Sequence, residues 1–93
     1  MEYTLFYPTP WEQVDAEHDN IDVCLTFPDD RSYTFVVATP KNLKQLMAAG
    51  GKPYLTPGVP MLIAERLTQE AVAALIAEIV NDENLMQRYG SDL

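Results

Sequence analysis

The sequence predicts an α+β domain: a sheet of about four strands, antiparallel or mixed, with helices on one face, in the order β-β-β-α-β-α-α. Three observations carry this. Ile21, Val23, Leu25 and Phe27 alternate with Asp22, Cys24 and Thr26, and Tyr33, Phe35 and Val37 alternate with Thr34 and Val36, which is the period of half-buried strands. The break between these runs, Pro28-Asp29-Asp30-Arg31, reads as a hairpin turn. Downstream, Thr39-Pro40 and Thr68 each open a segment with apolar residues at helical spacing. A chain of 93 residues has room for one core, so residues 1–93 form a single domain.

Taken in order, residues 3–7 are aromatic and β-prone, and Pro8 ends them. Residues 8–20 form a polar connection with room for a short helical turn near Trp11–Ala16. The hairpin register follows from its faces. A three-residue connection puts Phe27 opposite Arg31, Leu25 opposite Tyr33 and Val23 opposite Phe35, which builds one continuous apolar face. It calls for a type I turn with Pro28 at its first central position and a left-handed residue, Asp30, forming a bulge. The remaining face of the hairpin (Cys24, Thr34, Val36, Ala38) is small and fairly apolar, fit either to pack under another element or to self-associate.

Thr39 caps the next helix, whose stripe is Leu43, Leu46 and Met47 and whose stop is Gly50-Gly51. Three prolines and a Pro-Gly pair make 52–60 a structured loop. A short strand from Met61 to Arg66 follows. Thr68 caps a longer helix bearing Val72, Leu75, Ile76, Ile79 and Val80. Asp82 caps a last helix, Glu83–Tyr89, closed by Gly90. The expected core is Leu25, Phe35, Val37, Leu46, Ile63, Leu75, Ile76 and Ile79.

Little in this chain is equipped for catalysis. His18 is the single histidine and Cys24 the single cysteine, and Cys24 lies mid-strand, where a small buried hydrophobe is expected. Oxygen ligands at alternate positions over Asp15–Asp22 look like the start of a calcium loop. Asn20, however, replaces the sharp-turn glycine, and Thr26 stands where the bidentate carboxylate belongs. Zinc would need more nitrogen or sulfur ligands than His18 and Cys24 supply. Gly50-Gly51-Lys52 ends a helix instead of opening one, so it is no phosphate loop. The expectation is a protein without metal or cofactor, and not an enzyme.

Charge is the most informative property left. The net charge is −8, and seven carboxylates fall between Glu12 and Asp30 with no Lys or Arg among them. Such a surface repels nucleic acid and anionic membranes and attracts basic partners. With no disulfide framework, no signal-peptide pattern and no apolar run of membrane length, a cytoplasmic location is expected, as a monomer or weak homodimer. The candidate partner-binding residues are Trp11, Glu12, Asp15, Glu17, Asp19, Asp22 and Tyr54. Trp11 has two readings, an interface anchor or an indole folded back over a sheet edge. The leading function is a small acidic binding or accessory protein, of the immunity or inhibitor type, that engages a basic protein. The alternative is a small-ligand binder or enzyme using the 12–22 acidic loop and the 53–60 loop.

The runs Asp19-Asn20-Ile21-Asp22-Val23, Phe27-Pro28-Asp29-Asp30-Arg31-Ser32-Tyr33-Thr34-Phe35 and Thr39 to Leu43 resemble a group of small uncharacterised bacterial α+β proteins. The resemblance covers about half of the chain. It implies a hairpin followed by a helix and a short strand, and it brings no activity and no functional residue. Asp30 departs from the pattern, in which glycine is expected.

Overall fold

The computed structural model describes residues 2–92. Its elements are β1 (Thr4–Phe6), a 3-10 turn (Trp11–Gln13), β2 (Asn20–Thr26), β3 (Ser32–Ala38), α1 (Pro40–Gly50), β4 (Met61–Ile63), α2 (Gln69–Val80), α3 (Glu83–Tyr89) and β5 (Ser91–Asp92). The sheet runs β1-β2-β3-β4. β1 and β2 are antiparallel, as are β2 and β3, whereas β4 lies parallel to β3. β5 pairs antiparallel with Tyr33 and Thr34, so it shares one edge of β3 with β4. The sheet is therefore mixed, in an α+β fold with the expected order of elements.

Strict alternation sets the centre of the fold. Leu25 pairs with Tyr33, Val23 with Phe35 and Ile21 with Val37, which is the register that keeps the bulky rows on one face. The turn closes as that register requires. Phe27 N–H donates to the Arg31 carbonyl at 2.9 Å, and Asp30 N–H donates to the Phe27 carbonyl at 3.0 Å. Asp30 takes φ 68°, the left-handed conformation in which Cβ crowds the backbone.

The inward face carries Ile21, Val23, Leu25, Phe27, Phe35, Val37 and Leu62, and α2 closes it with Val72, Ile76, Ile79 and Val80. Burying a side chain of this kind contributes about 1.5–3 kcal/mol, so this layer dominates stability. Caps hold the covering helices in place. Thr68 Oγ1 accepts from Ala71 N–H at 3.1 Å, and Asp82 Oδ1 accepts from Asn84 and Leu85 N–H at 3.0 and 3.3 Å. Gly90 lets the chain turn from α3 into β5, because a Cβ there would sit 2.8 Å from the Met86 carbonyl and 3.2 Å from the Phe35 ring.

Two expected core residues lie outside it. Leu46 and Ile63 are 38% and 47% exposed. Period two leaves β4 one inward position among three, and Leu62 takes it, which turns Ile63 to the opposite face. The strand stops there and does not reach Arg66: Ala64 N–H donates to the Ala38 carbonyl at 2.9 Å, and regular pairing ends. Leu46 is exposed because α1 takes no part in the core. The only buried residue of α1 is Asn42, and its half-buried Leu43 and Met47 belong neither to the core cluster nor to the apolar residues packed on it. Leu75 is half-buried and packs against the core, and the other five expected residues are buried in it.

Candidate functional site

The acidic segment lies at the end of the sheet away from the hairpin turn, where β2 begins and β3 hands over to α1. Its carboxylates build the loop they occupy. Asp15 Oδ1 accepts from Glu17 N–H at 3.1 Å, from His18 N–H at 3.2 Å and from the His18 ring at 3.3 Å. Asp19 accepts from Asp15 N–H at 3.3 Å and from Asn20 N–H at 2.9 Å. Donors aimed at a carboxylate favour its ionised form, and the Glu17 N–H, reinforced by His18, holds Asp15 below the ordinary aspartate value. Glu17 lies below the ordinary value chiefly because the Lys41 ammonium sits 3.0 Å from its Oε1.

Backbone groups of the same segment fasten it to the rest of the molecule. Thr39 Oγ1 donates to the Glu17 carbonyl, and Asn42 Nδ2 donates to the His18 carbonyl at 3.1 Å. Asn20 Nδ2 donates to Asn42 Oδ1 at 3.1 Å, and Leu67 N–H donates to the Ala16 carbonyl at 2.7 Å. Strand β2, helix α1 and the approach to α2 thus all hold this loop.

The remaining predicted residues divide. Glu12, on the 3-10 turn, and Asp22, on β2, are exposed, and their side chains have no hydrogen bond or ion pair among the described residues. Trp11 folds back. Its ring meets Tyr7 edge-on at 4.9 Å, it packs against the core, and its indole N–H is out of solvent with no hydrogen-bond partner among the described residues. Partial burial, with Tyr3 nearby, also raises the Tyr7 phenol above its ordinary value. Tyr54 is 57% exposed on the loop after α1, with the Lys52 ammonium 5.7 Å from its ring centre. Neither a hydrogen bond nor a ring contact joins Tyr54 to 12–22 among the described residues.

Sequence reasoning passed over a second surface. From Pro40 to Ala64 there is no carboxylate, yet half of the chain's six cations, Lys41, Lys44 and Lys52, lie there. The same stretch holds Leu46, Tyr54, Val59 and Ile63, four of the five exposed large hydrophobics among the described residues. The charge signal could be counted in the sequence, but the exposure could not, because it depends on α1 standing outside the core.

A cleft of about 700 Å³ opens at the opposite end of the hairpin, between the turn and α2–α3. Phe27, Arg31, Tyr33, Glu83, Met86 and Asp92 are among its walls, and no residue of 12–22 or 53–60 lines it. Arg31 stands over the Phe27 ring at 4.9 Å, with its Nε 2.7 Å from Asp29 Oδ2. Among the described residues, no three His, Cys, Asp or Glu side chains are placed to hold a metal ion, and no helix is long and apolar enough to cross a membrane. Comparison of the chain with known protein families, with curated proteins and with solved structures gave no match.

Proposed function

We propose that this protein is a stoichiometric binding protein, not an enzyme, and that it receives a basic protein partner on the 12–22 segment. The observation that supports this is the fixed geometry of the acidic loop. Asp15 and Asp19 are held by five contacts within the loop, and Glu17 is held by Lys41, so these carboxylates are ordered before any partner arrives. A preordered surface loses less side-chain freedom on binding. Glu12 and Asp22 add free charge beside it. A segment this acidic steers a cationic partner over distance and accelerates encounter, by 10–10³-fold in strongly focused cases, an effect that falls steeply with salt.

The test is affinity capture from the native host at low salt, followed by association kinetics with the captured protein. The substitutions follow from the geometry. Glu12→Gln with Asp22→Asn removes charge without disturbing the loop, whereas neutralising Asp15 or Asp19 would also dismantle it. The double variant should fold as the parent does, associate several-fold more slowly and show a weaker salt dependence. An unchanged rate and salt response, or a captured partner with no basic surface, would refute the proposal.

A second reading, that a small ligand binds, is favoured by the cleft at the hairpin turn, whose walls combine Arg31, Glu83 and Asp92 with Phe27, Tyr33 and Met86. Arg31→Ala would weaken such a ligand and leave capture of a basic protein unchanged.

A further inference from the structure

The cleft beside the hairpin turn has one wall from the sheet and one from the helices. On the sheet wall, Arg31 stands over the Phe27 ring at 4.9 Å, and Tyr33 meets that ring edge-on at 6.0 Å. Asp92 of β5 is the direct cross-strand partner of Tyr33, and directly opposed residues hold their side chains on one face. On the other wall, Glu83, Met86 and Gln87 stand three and four residues apart on α3 and so share a helix face.

Burial sorts these groups by depth. Phe27 and Val80 are buried and Tyr33 and Met86 half-buried, whereas Arg31, Glu83 and Asp92 are exposed. Apolar surface thus lies deep and charge lies at the mouth. The fold does not use up these charges. The side chains of Glu83 and Asp92 have no hydrogen bond or ion pair among the described residues. Arg31 gives its Nε to Asp29, in an exposed pair that water screens, and keeps its terminal nitrogens, which suit a carboxylate.

We propose that this cleft takes a zwitterion with an apolar body, the class to which a free α-amino acid with a large side chain belongs. Arg31 receives the carboxylate, Glu83 and Asp92 receive the ammonium, and Phe27, Tyr33 and Met86 receive the apolar body. A ligand of single charge fits less well. A simple amine would meet Arg31, and a simple carboxylate would meet Glu83 and Asp92, each a like-charge contact that costs affinity. The volume of about 700 Å³ lies in the range of small-molecule sites, about 300–1,000 Å³. This inference rests on the small-ligand reading, to which it adds the class of ligand.

Four probes that share a phenyl body test it: L-phenylalanine, phenethylamine as the cation, 3-phenylpropionate as the anion and N-acetyl-L-phenylalanine amide as the neutral form. Each is titrated to millimolar concentration, and backbone amide chemical shifts report where it binds. L-Phenylalanine should move the amides of Arg31, Tyr33 and Gly90, leave those of 12–22 in place, and bind several-fold more tightly than the other three. Arg31→Gln should abolish its advantage over phenethylamine, and Glu83→Gln/Asp92→Asn its advantage over 3-phenylpropionate. All three altered side chains are exposed, and the amide spectrum itself checks that the variants fold. If another probe binds the cleft as tightly as L-phenylalanine, or the variants leave the ranking unchanged, the zwitterion proposal is overturned while the small-ligand reading stands. If no probe moves the cleft amides, both fall.

Discussion

Replacing Asp30 by glycine should stabilise the protein, and the gain can be worked out from the turn. Asp30 sits at φ 68°, where an L side chain costs about 1–2 kcal/mol, with aspartate toward the low end because it tolerates this region. Glycine takes the same conformation without that cost, but it loses more freedom on folding, about 0.5–1 kcal/mol. The backbone contact survives, since it is the Asp30 N–H that donates to the Phe27 carbonyl. The side chain is exposed and makes no hydrogen bond among the described residues, so little else is lost. The net gain is at most about 0.5 kcal/mol, which raises Tm by up to about 2–4 °C in a domain of this size. Two companion variants separate the causes. Asp30→Asn keeps the left-handed tolerance and removes the charge, so it should move Tm less than Asp30→Gly. Asp30→Ala should lower Tm, since alanine has no comparable tolerance. Thermal and urea unfolding followed by circular dichroism measure all three. If alanine equals glycine, or asparagine reproduces the whole gain, backbone strain at Asp30 is not the reason.

Phe35 is the largest fully buried side chain, beneath α2 and against the α3–β5 turn. Phe35→Ala should cost about 3–5 kcal/mol, a large part of a small domain's total, readable as a fall in the urea midpoint. Acid should also destabilise. Asp15, Glu17 and Asp29 all titrate below their ordinary values, held there by Glu17 N–H, Lys41 and Arg31 N–H respectively. Their folded forms bind protons less readily than the unfolded chain does. Their stabilisation is therefore complete above the unfolded carboxylate value of about 4 and is lost as pH falls through the depressed values. Urea midpoints from neutral pH into the acid range should decline there, less steeply in Asp15→Asn.

What the sequence disclosed depended on how many residues each pattern had to work with. The β2–β3 hairpin was legible because two seven-residue strands, each with a bulky row, admit one register that keeps those rows together. The caps were legible because Thr39, Thr68 and Asp82 stand immediately before periodic segments. β4 has three residues, too few for a period to show whether Leu62 or Ile63 points inward. The two residues of β5 form a strand only because α3 returns them to β3. The stripe on α1 was visible, but a stripe does not name what it faces, and Leu46 was assigned to a core that α1 never enters. The acidic segment showed as composition. The spacing of Asp15 from Glu17 and His18, two and three residues on, was the readable sign that its carboxylate closes its own turn.

The acidic loop and the apolar cationic segment are joined by the polar groups between them. Thr39 and Asn42 are the buried polar residues among those described, and their side chains reach only the 17–20 segment and the first turn of α1. Buried polar groups that are fully partnered fix orientation more than they add stability. The stripe on α1 does not belong to the core, so the polar contacts at the start of the helix carry much of its placement. Thr39 and Asn42 grip the Glu17 and His18 carbonyls. Those carbonyls are held in place by a loop that the carboxylates of Asp15 and Asp19 close. Glu17 is the common point: its carbonyl accepts from Thr39 and its carboxylate from Lys41, the first cation of the 40–64 segment. The carboxylates that give the acidic loop its shape therefore also fix the start of α1.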